Sequence, residues 1–567
     1  MNYSLAFSAH GKPSAFLAIA LVCLLGCTQQ ATPAAAPPAD AGQASETVTP
    51  KVNRVVLSIE PATRESLELR HMSAPNGWIF SPMYESLLGI DAETGKKIPR
   101  LAISWSIEPS GTAIRMQLRK GVKLHGDWEK FTSADLLHQP LEFQKPDSSA
   151  GSSPFWQQVF EGIDVVNDYE AVYKLKRADS NFFDYISDQQ GGMEVTSKKA
   201  FDKNGVATEL TGPIPGTNAY QFVSHKPGES LVYRRVPYQH WRVTPDFPEF
   251  EFRFMREAST RMAAFLAGEV HLVSLPQDLL QQAVTQGNKV AVGKVPALRV
   301  YINFLCCAAQ DRTDISKGWI DPQSPLADVR VRRALSKAVN RDELNKSLFG
   351  GKGTPLYNNP LGPQRSGWDP SWETRFQEEY GYDQAKARAL LAEAGYGPTN
   401  PVKITALLSL TTGLSGAPEV GEAAANYWRQ VGVQVDLQTI DNVTQTAQTR
   451  AGLLNRHTNV MATNSNAWVV LFNQTALGRV AANVGAGSPE LPELDPLMSV
   501  IANTMDEKKI EETWRQIGEV LFQKHKYLPL FWLPVEVVYN PKYVSGWVLP
   551  GSITGNYTHI ENIKAAK

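Results

Sequence analysis

Cysteine is scarce in this sequence: four residues in 567, at positions 23, 27, 306 and 307. That count and spacing exclude a disulfide-stapled scaffold and a cysteine-built zinc site. Histidine offers no substitute, because none of the ten histidines belongs to an H-x-H or H-E-x-x-H pair. Excess charge of one sign is also missing. The 56 basic residues face 57 acidic ones, and no Lys/Arg-rich run suggests a nucleic-acid footprint, so nucleic acid is not an expected partner. After the N-terminal segment no apolar run reaches the roughly 18 residues of a spanning helix. Catalytic motifs are lacking as well. Gly413-Leu414-Ser415-Gly416 has the wrong spacing for a nucleophile elbow, and in Gly350-Gly351-Lys352-Gly353-Thr354 the lysine is not followed directly by Ser or Thr, as a phosphate loop requires. No catalytic residue, metal ligand or cofactor is therefore expected, and the protein reads as a non-enzyme.

What is present begins at the N-terminus. Lys12 precedes an apolar run from Ala15 to Gly26, too short to span a bilayer but suited to the apolar region of a secretory signal. It ends in Leu24-Leu25-Gly26-Cys27, which resembles the lipobox of bacterial lipoproteins. That resemblance makes 1–26 a signal peptide and Cys27 the lipidated first mature residue, held to a membrane through its acyl chains. Residues 27–51 then form a tether rich in Ala and Pro with no periodic apolar face. With Cys23 removed and Cys27 acylated, Cys306 and Cys307 remain. Neighbouring Cα atoms lie about 3.8 Å apart, closer than a relaxed disulfide prefers, so two reduced buried thiols are expected rather than a vicinal disulfide.

The mature chain is long enough for more than one folded unit. Arg54 to Ile59 and Thr112 to Leu118 read as strands, the second with Ile114, Met116 and Leu118 alternating with polar neighbours. Val329 to Val339 places Val331, Ala334, Leu335 and Ala338 on one helical face, and Asn340 with Glu343 opens another helix. Asp383 is placed to cap a helix running to Ala394, with Gly395 as C′. A helix over about Glu419 to Val431 stops at Gly432 and passes into the alternating Val433 to Leu437. Helix closely followed by strand is the grammar of an α/β unit.

Four blocks in order resemble the peptide/nickel-type (family 5) solute-binding proteins of ABC importers. They are Leu101-Ala102-Ile103-Ser104-Trp105 through Leu118-Arg119-Lys120-Gly121-Val122 and Phe131-Thr132-Ser133-Ala134-Asp135-Leu136; Asp328 to Leu335 with Ala338 to Arg341; Tyr382-Asp383 through Leu390 to Tyr396; and Leu528-Pro529-Leu530. The resemblance implies an α/β, two-lobed periplasmic-binding-protein type II (cluster C) fold with an extra subdomain inserted in lobe one. Lobe one takes 52–91, 207–305 and 533–567, the inserted subdomain 92–206, and lobe two 306–532. A small-molecule or peptide ligand is then expected between the lobes, a membrane-anchored periplasmic monomer is implied, and an ABC importer permease is the partner. The same fold also serves as a ligand sensor or envelope chaperone, and the ligand class extends to neutral, sugar-like or metal-complex solutes. Arg330 and Arg332 are expected to make ion pairs.

The chain departs from that family where the ligand is expected. Peptide-binding members carry a Trp followed by an Asp-Tyr pair whose Asp meets the peptide's α-amino group. Here the stretch reads Asn464-Ser465-Asn466-Ala467-Trp468-Val469-Val470-Leu471, and no acid occurs between Val460 and Pro489. A buried ammonium without a carboxylate costs several kcal/mol in effective desolvation. Asn464, Asn466 and Trp468 thus suit a ligand that is neutral at that end. Trp78, Tyr84 and Asn303 complete the expected contacts, because aromatics supply area and an amide both donates and accepts. His271, in Gly268-Glu269-Val270-His271 where the family usually has an acid, is expected to be a satisfied structural histidine.

Overall fold

The element boundaries follow local chemistry. Asp328 accepts from the Arg330 amide and starts the helix Val329–Ala338. Asn340 accepts from the Glu343 amide at 3.2 Å, and its own amide reaches back to the Glu343 carboxylate at 3.3 Å, opening Arg341–Phe349. Asp383 caps Gln384–Glu393 through the Lys386 amide, and Gly395 takes the left-handed φ of 88° that ends it. The helix Ala417–Gln430 ends before Gly432 (φ 93°), and the strand Gln434–Thr439 follows. Thr132 and Asp135, from the Phe131–Leu136 block, form a capping box, and the second Asp135 oxygen accepts from the Lys198 amide.

This computed structural model describes residues 49–567 apart from 62–64, 72–78, 92, 95, 189–192, 209–211, 294–297, 312, 364, 410, 412–413, 415, 464–466, 473, 476–488 and 550–556. Cys27 and the leader lie outside them, as do Trp78, Asn464 and Asn466.

Two large mixed sheets organise the described chain. The first has seven strands in the order 289–292, 536–539, 272–273, 54–59, 249–254, 230–235 and 220–226. Arg54–Ile59 runs parallel to both of its neighbours, while the outer pairs are antiparallel. The second has six strands, in the order 354–355, 527–533, 298–305, 457–463, 403–408 and 434–439. A separate antiparallel sheet of four strands comprises 102–107, 113–118, 170–175 and 160–167. The chain passes from the first large sheet to the second between Val292 and Leu298, and returns between Leu533 and Glu536. At this crossing the Gly293 amide donates to the Val535 carbonyl at 2.9 Å, and Lys352 beside the second sheet pairs with Glu536 of the first at 2.8 Å. The strand Leu298–Leu305, grouped with the first lobe on sequence, is hydrogen-bonded on both edges within the second sheet. Its side chains alternate between the two faces of that sheet, with Leu298, Val300, Ile302 and Phe304 in one core and Tyr301 in the other.

Three expectations about side chains meet different outcomes. Arg330 pairs with Asp328 at 2.6 Å, as expected of a surface charge. Arg332 makes no such pair among the described contacts: it is buried and donates to the carbonyls of Leu326, Ala327, Lys524 and His525. Its five N–H groups tie the start of its helix to a distant turn, which a fork of donors does better than a point charge. Cys306 and Cys307 are joined in a disulfide rather than reduced. A left-handed backbone at Cys307 (φ 61°) brings the two neighbouring side chains together.

Candidate functional site

One face of the second sheet concentrates polar and aromatic groups in an otherwise apolar interior. Along Leu298–Leu305, Leu298, Val300, Ile302 and Phe304 point into the core shared with the helices Val329–Ala338 and Ala417–Gln430. The period of two turns Arg299, Tyr301 and Asn303 to the opposite face. The neighbouring strands repeat the pattern. Tyr301 pairs with Met461 and Asn303 with Asn459 on one side, while Arg299 meets Trp532 and Asn303 meets Tyr527 on the other. Tyr301, Trp532 and Tyr527 belong to the same apolar cluster as Leu57 and Phe252 of the first sheet, so this face looks toward the first sheet's side of the molecule.

The face is buried, yet its hydrogen bonding is incomplete. The Oδ1 atoms of Asn303 and Asn459 are enclosed and have no partner, although Asn459 directs its amide to the Met461 sulfur at 3.1 Å. An unmatched buried acceptor costs about 1–3 kcal/mol, so two on adjacent strands are unusual unless something else donates to them. The Tyr301 and Tyr527 rings meet edge to face at 5.2 Å between centroids. Arg299 donates to the Pro360 carbonyl at 2.6 Å, and its guanidinium lies 5.7 Å from the centre of the Trp532 ring. Burial lowers its pKa to about 10, against the opposing pull of the Tyr301 and Tyr527 phenols. This arrangement can hold a ligand that offers N–H donors to the two asparagines and a flat or apolar surface to the aromatics. The described side chains of this face carry no carboxylate.

The expected residues separate in space. Asn303 lies at the centre of this face and is one of its two open acceptors. Trp468 is buried in the helix Ala467–Phe472, packs on Phe472 at 5.3 Å, and lies in the same apolar cluster as Tyr185 of the segment that carries the four-stranded sheet. It therefore joins the two sides of the molecule. Tyr84 is not on this face. Its ring packs against Phe80, its hydroxyl donates to the Ile214 carbonyl at 2.8 Å, and a Cβ at Gly216 would sit 2.3 Å from the ring. His271 accepts from the Val56 amide at 3.0 Å and meets Tyr543 edge to face, with its pKa lowered to about 4 by burial. Sequence reasoning missed Arg299, Asn459, Tyr527 and Trp532. The available signal was polar residues at alternate positions in otherwise apolar strands, as in Leu298-Arg299-Val300-Tyr301-Ile302-Asn303.

Acid is absent here for a structural reason too. Glu490, the first carboxylate after the acid-free stretch, is buried beside Lys526, whose ammonium donates to the Pro489 carbonyl. Burial lowers the Lys526 pKa to about 7, and Glu490 opposes that fall.

Residues 96–472 match the family described as bacterial extracellular solute-binding proteins, family 5 Middle. The dipeptide-binding protein of Escherichia coli is 24% identical over 508 residues, covering 85% of this chain and 89% of that protein. Among solved structures, the ABC transporter-associated periplasmic binding protein DppA from Helicobacter pylori, in complex with a peptide, superposes with a TM-score of 0.69 at 20% identity, covering 91% of this chain and 98% of the other. NikZ from Campylobacter jejuni, in complex with Ni(L-His), does so with a TM-score of 0.71 at 16% identity, covering 90% and 99%. At such identities the likeness establishes the architecture, a two-lobed periplasmic-binding-protein fold.

Proposed function

The chain belongs to the bacterial extracellular solute-binding proteins, family 5, and from that premise we propose that it is the substrate-binding component of an ABC importer. It captures a small solute between its lobes, leaves it chemically unchanged and delivers it to the permease. The supporting observation is the buried polar face of the second sheet, where Asn303 and Asn459 hold unmatched acceptors between aromatic rings. A solute supplies the missing donors when the lobes close over it, and closure is favoured because those contacts exist only in the shut form. The ligand-binding set is Asn303, Trp468 and Asn459, joined by Asn464, Asn466 and Trp78, while Tyr84 supports the first lobe. The lobe division is 52–91 and 207 to about 293 with 534–567 for lobe one, 92–206 for the inserted subdomain, and the intervening chain, including both strands 298–305 and 527–533, for lobe two.

The solute is peptide-like or another small molecule, and it is neutral at the end that faces the acid-free stretch 460–489. The ligands named for the relatives are a dipeptide, a peptide and a nickel–histidine complex, all small or peptide-like. Native mass spectrometry of the purified protein should reveal a retained small molecule. Calorimetry with free peptides and their N-acetylated counterparts should favour the acetylated forms. Tight binding of free peptides that acetylation abolishes would restore an ordinary peptide binder, and recovery of a chemically converted solute would show an enzyme instead.

The protein works outside the cytoplasm as a monomer, tethered through lipid on Cys27. Cys27→Ala should move it from the membrane fraction to the soluble fraction. A variant that still sediments with membranes would refute the lipid anchor.

A further inference from the structure

The outermost strand of the seven-stranded sheet, Tyr220–Lys226, borders a cavity of about 450 Å³. Its walls are largely apolar, with Met83, Trp128, Pro213, Pro215 and Phe222 among the side chains that line it. None of the lining residues lies on the six-stranded sheet, so the cavity is separate from the polar face described above. A buried polar group also lines it: His125, which is 5% exposed. The His125 amide donates to the Gly216 carbonyl at 2.9 Å, and its Nε2 lies 2.8 Å from the Asn218 carbonyl. A carbonyl can only accept, so Nε2 carries the proton and Nδ1 is left as an acceptor. That Nδ1 is enclosed and has no hydrogen-bond partner. Burial holds the His125 pKa down to about 4, so the ring stays neutral near pH 7 and keeps this role. His225, on the strand side of the cavity, is already held by the Glu65 carboxylate at 2.8 Å.

Apolar walls around this volume, with few polar groups, are the usual make-up of a small-molecule pocket. Aromatic and proline walls suit a flat ring, which brings large contact area with little freedom to lose. The polar requirement is narrower. An enclosed imidazole lone pair calls for an N–H or O–H, and leaving it unmatched costs stability. A charged donor fits poorly, because burying it against apolar walls needs a counter-charge, and Glu65 is engaged by His225 and by the Gly228 amide. We propose that this cavity is a second solute site, separate from the cleft, for a neutral flat ring bearing one O–H or N–H group. The ring lies against Trp128, Phe222 and the prolines, and its donor meets His125 Nδ1. Trp128 is half-buried, and its ring stands 3.7 Å from where a Cβ on Gly126 would be, so it is the side chain beside His125 that adjusts to admit the donor.

Fluorine NMR on the purified full chain tests this with two probes: 4-fluorophenol, which donates, and 4-fluoroanisole, in which the donor is methylated. Broadening of each probe's signal across a protein titration gives its affinity. The phenol should bind about tenfold more tightly, the scale of one hydrogen bond. Ser224→Trp, at an exposed lining position on the edge strand, fills the space and should abolish binding of both probes. His125→Phe keeps a flat ring without the acceptor and should bind the two probes alike. Absence of binding, equal affinities in the wild type, undiminished binding in Ser224→Trp, or a phenol preference that persists in His125→Phe would each overturn the second site. Ser224 is outside the core, so its variant keeps the test decisive even where His125→Phe fails to fold. Ser224→Trp should also retain the cleft's own solute in native mass spectrometry. Loss of that solute together with the probes would mean one site rather than two.

Discussion

Asn303 shows how a single side chain reveals a binding face. It stands next to the apolar Ile302 and Phe304 of its strand, and it keeps an enclosed acceptor open. A residue retained for packing alone would be apolar here, as Ile302 and Phe304 are on the other side. Asn303→Leu should therefore leave the free protein as stable as wild type or more stable, by up to the roughly 1–3 kcal/mol that an unmatched buried polar group costs. The same change should weaken binding of the retained solute by about tenfold, corresponding to one lost hydrogen bond of about 1.4 kcal/mol. Denaturant melts and calorimetry measured side by side separate the two effects. A variant that loses stability while binding normally would make Asn303 structural. The residue was legible in the sequence as an amide at the end of an apolar strand, able both to donate and to accept. Arg299 stands four positions earlier in the same strand and carries a weaker signal, because an arginine among apolar residues reads as a structural side chain until its neighbours in the sheet are known.

At the scale of elements, the caps were legible and the partners of strands were not. Asp383, Asn340 and Gly395 act within a few residues of themselves, so their identity and spacing carry the whole signal. The strand Leu298–Leu305 is different. Its sequence announces a strand, but which sheet accepts it depends on hydrogen bonds to 457–463 and 527–533, more than a hundred residues away. The placement of Arg332 fails in the same way. An arginine at a helix start resembles a surface ion pair locally, whereas its real partners are carbonyls brought in by the turn at Lys524 and His525. The Leu101–Trp105 and Phe131–Leu136 blocks identified the family without touching the binding face. They set a bulged strand pair and a capped turn in the region of the four-stranded sheet, and the polar face lies on the six-stranded sheet.

The molecule as a whole buries titratable groups that fix its response to acid. His125, His138, His271 and His525 are all enclosed, and burial lowers each to a pKa of about 4. An unfolded chain protonates them near 6.5. Above that value neither state holds these protons and the term is silent. As the pH falls from about 6.5 to 4, the unfolded state binds protons that the folded state refuses, so stability is lost across that window and the loss levels off below it. Glu85 adds a second window with the same sense. Burial alone would raise it, but the His240 ring 3.7 Å away and the charge of Arg242, whose Nε donates to its carboxylate at 3.2 Å, hold it down to about 2, so its contribution is lost as the pH drops from the ordinary carboxylate range toward 2. Arg242 also binds Glu561 at 2.9 Å, so this pairing fastens the C-terminal segment to the first lobe. The melting temperature should therefore fall steeply between pH 6.5 and 4, well before the carboxylates alone would demand it. Unfolding at pH 5.5 should take up about 3.5 protons through these four histidines. Calorimetry in buffers of different ionisation enthalpy counts them. An uptake near zero would mean that the histidines are exposed or paired in the folded chain. A melting temperature that holds steady down to pH 4.5 would show the same failure from the stability side.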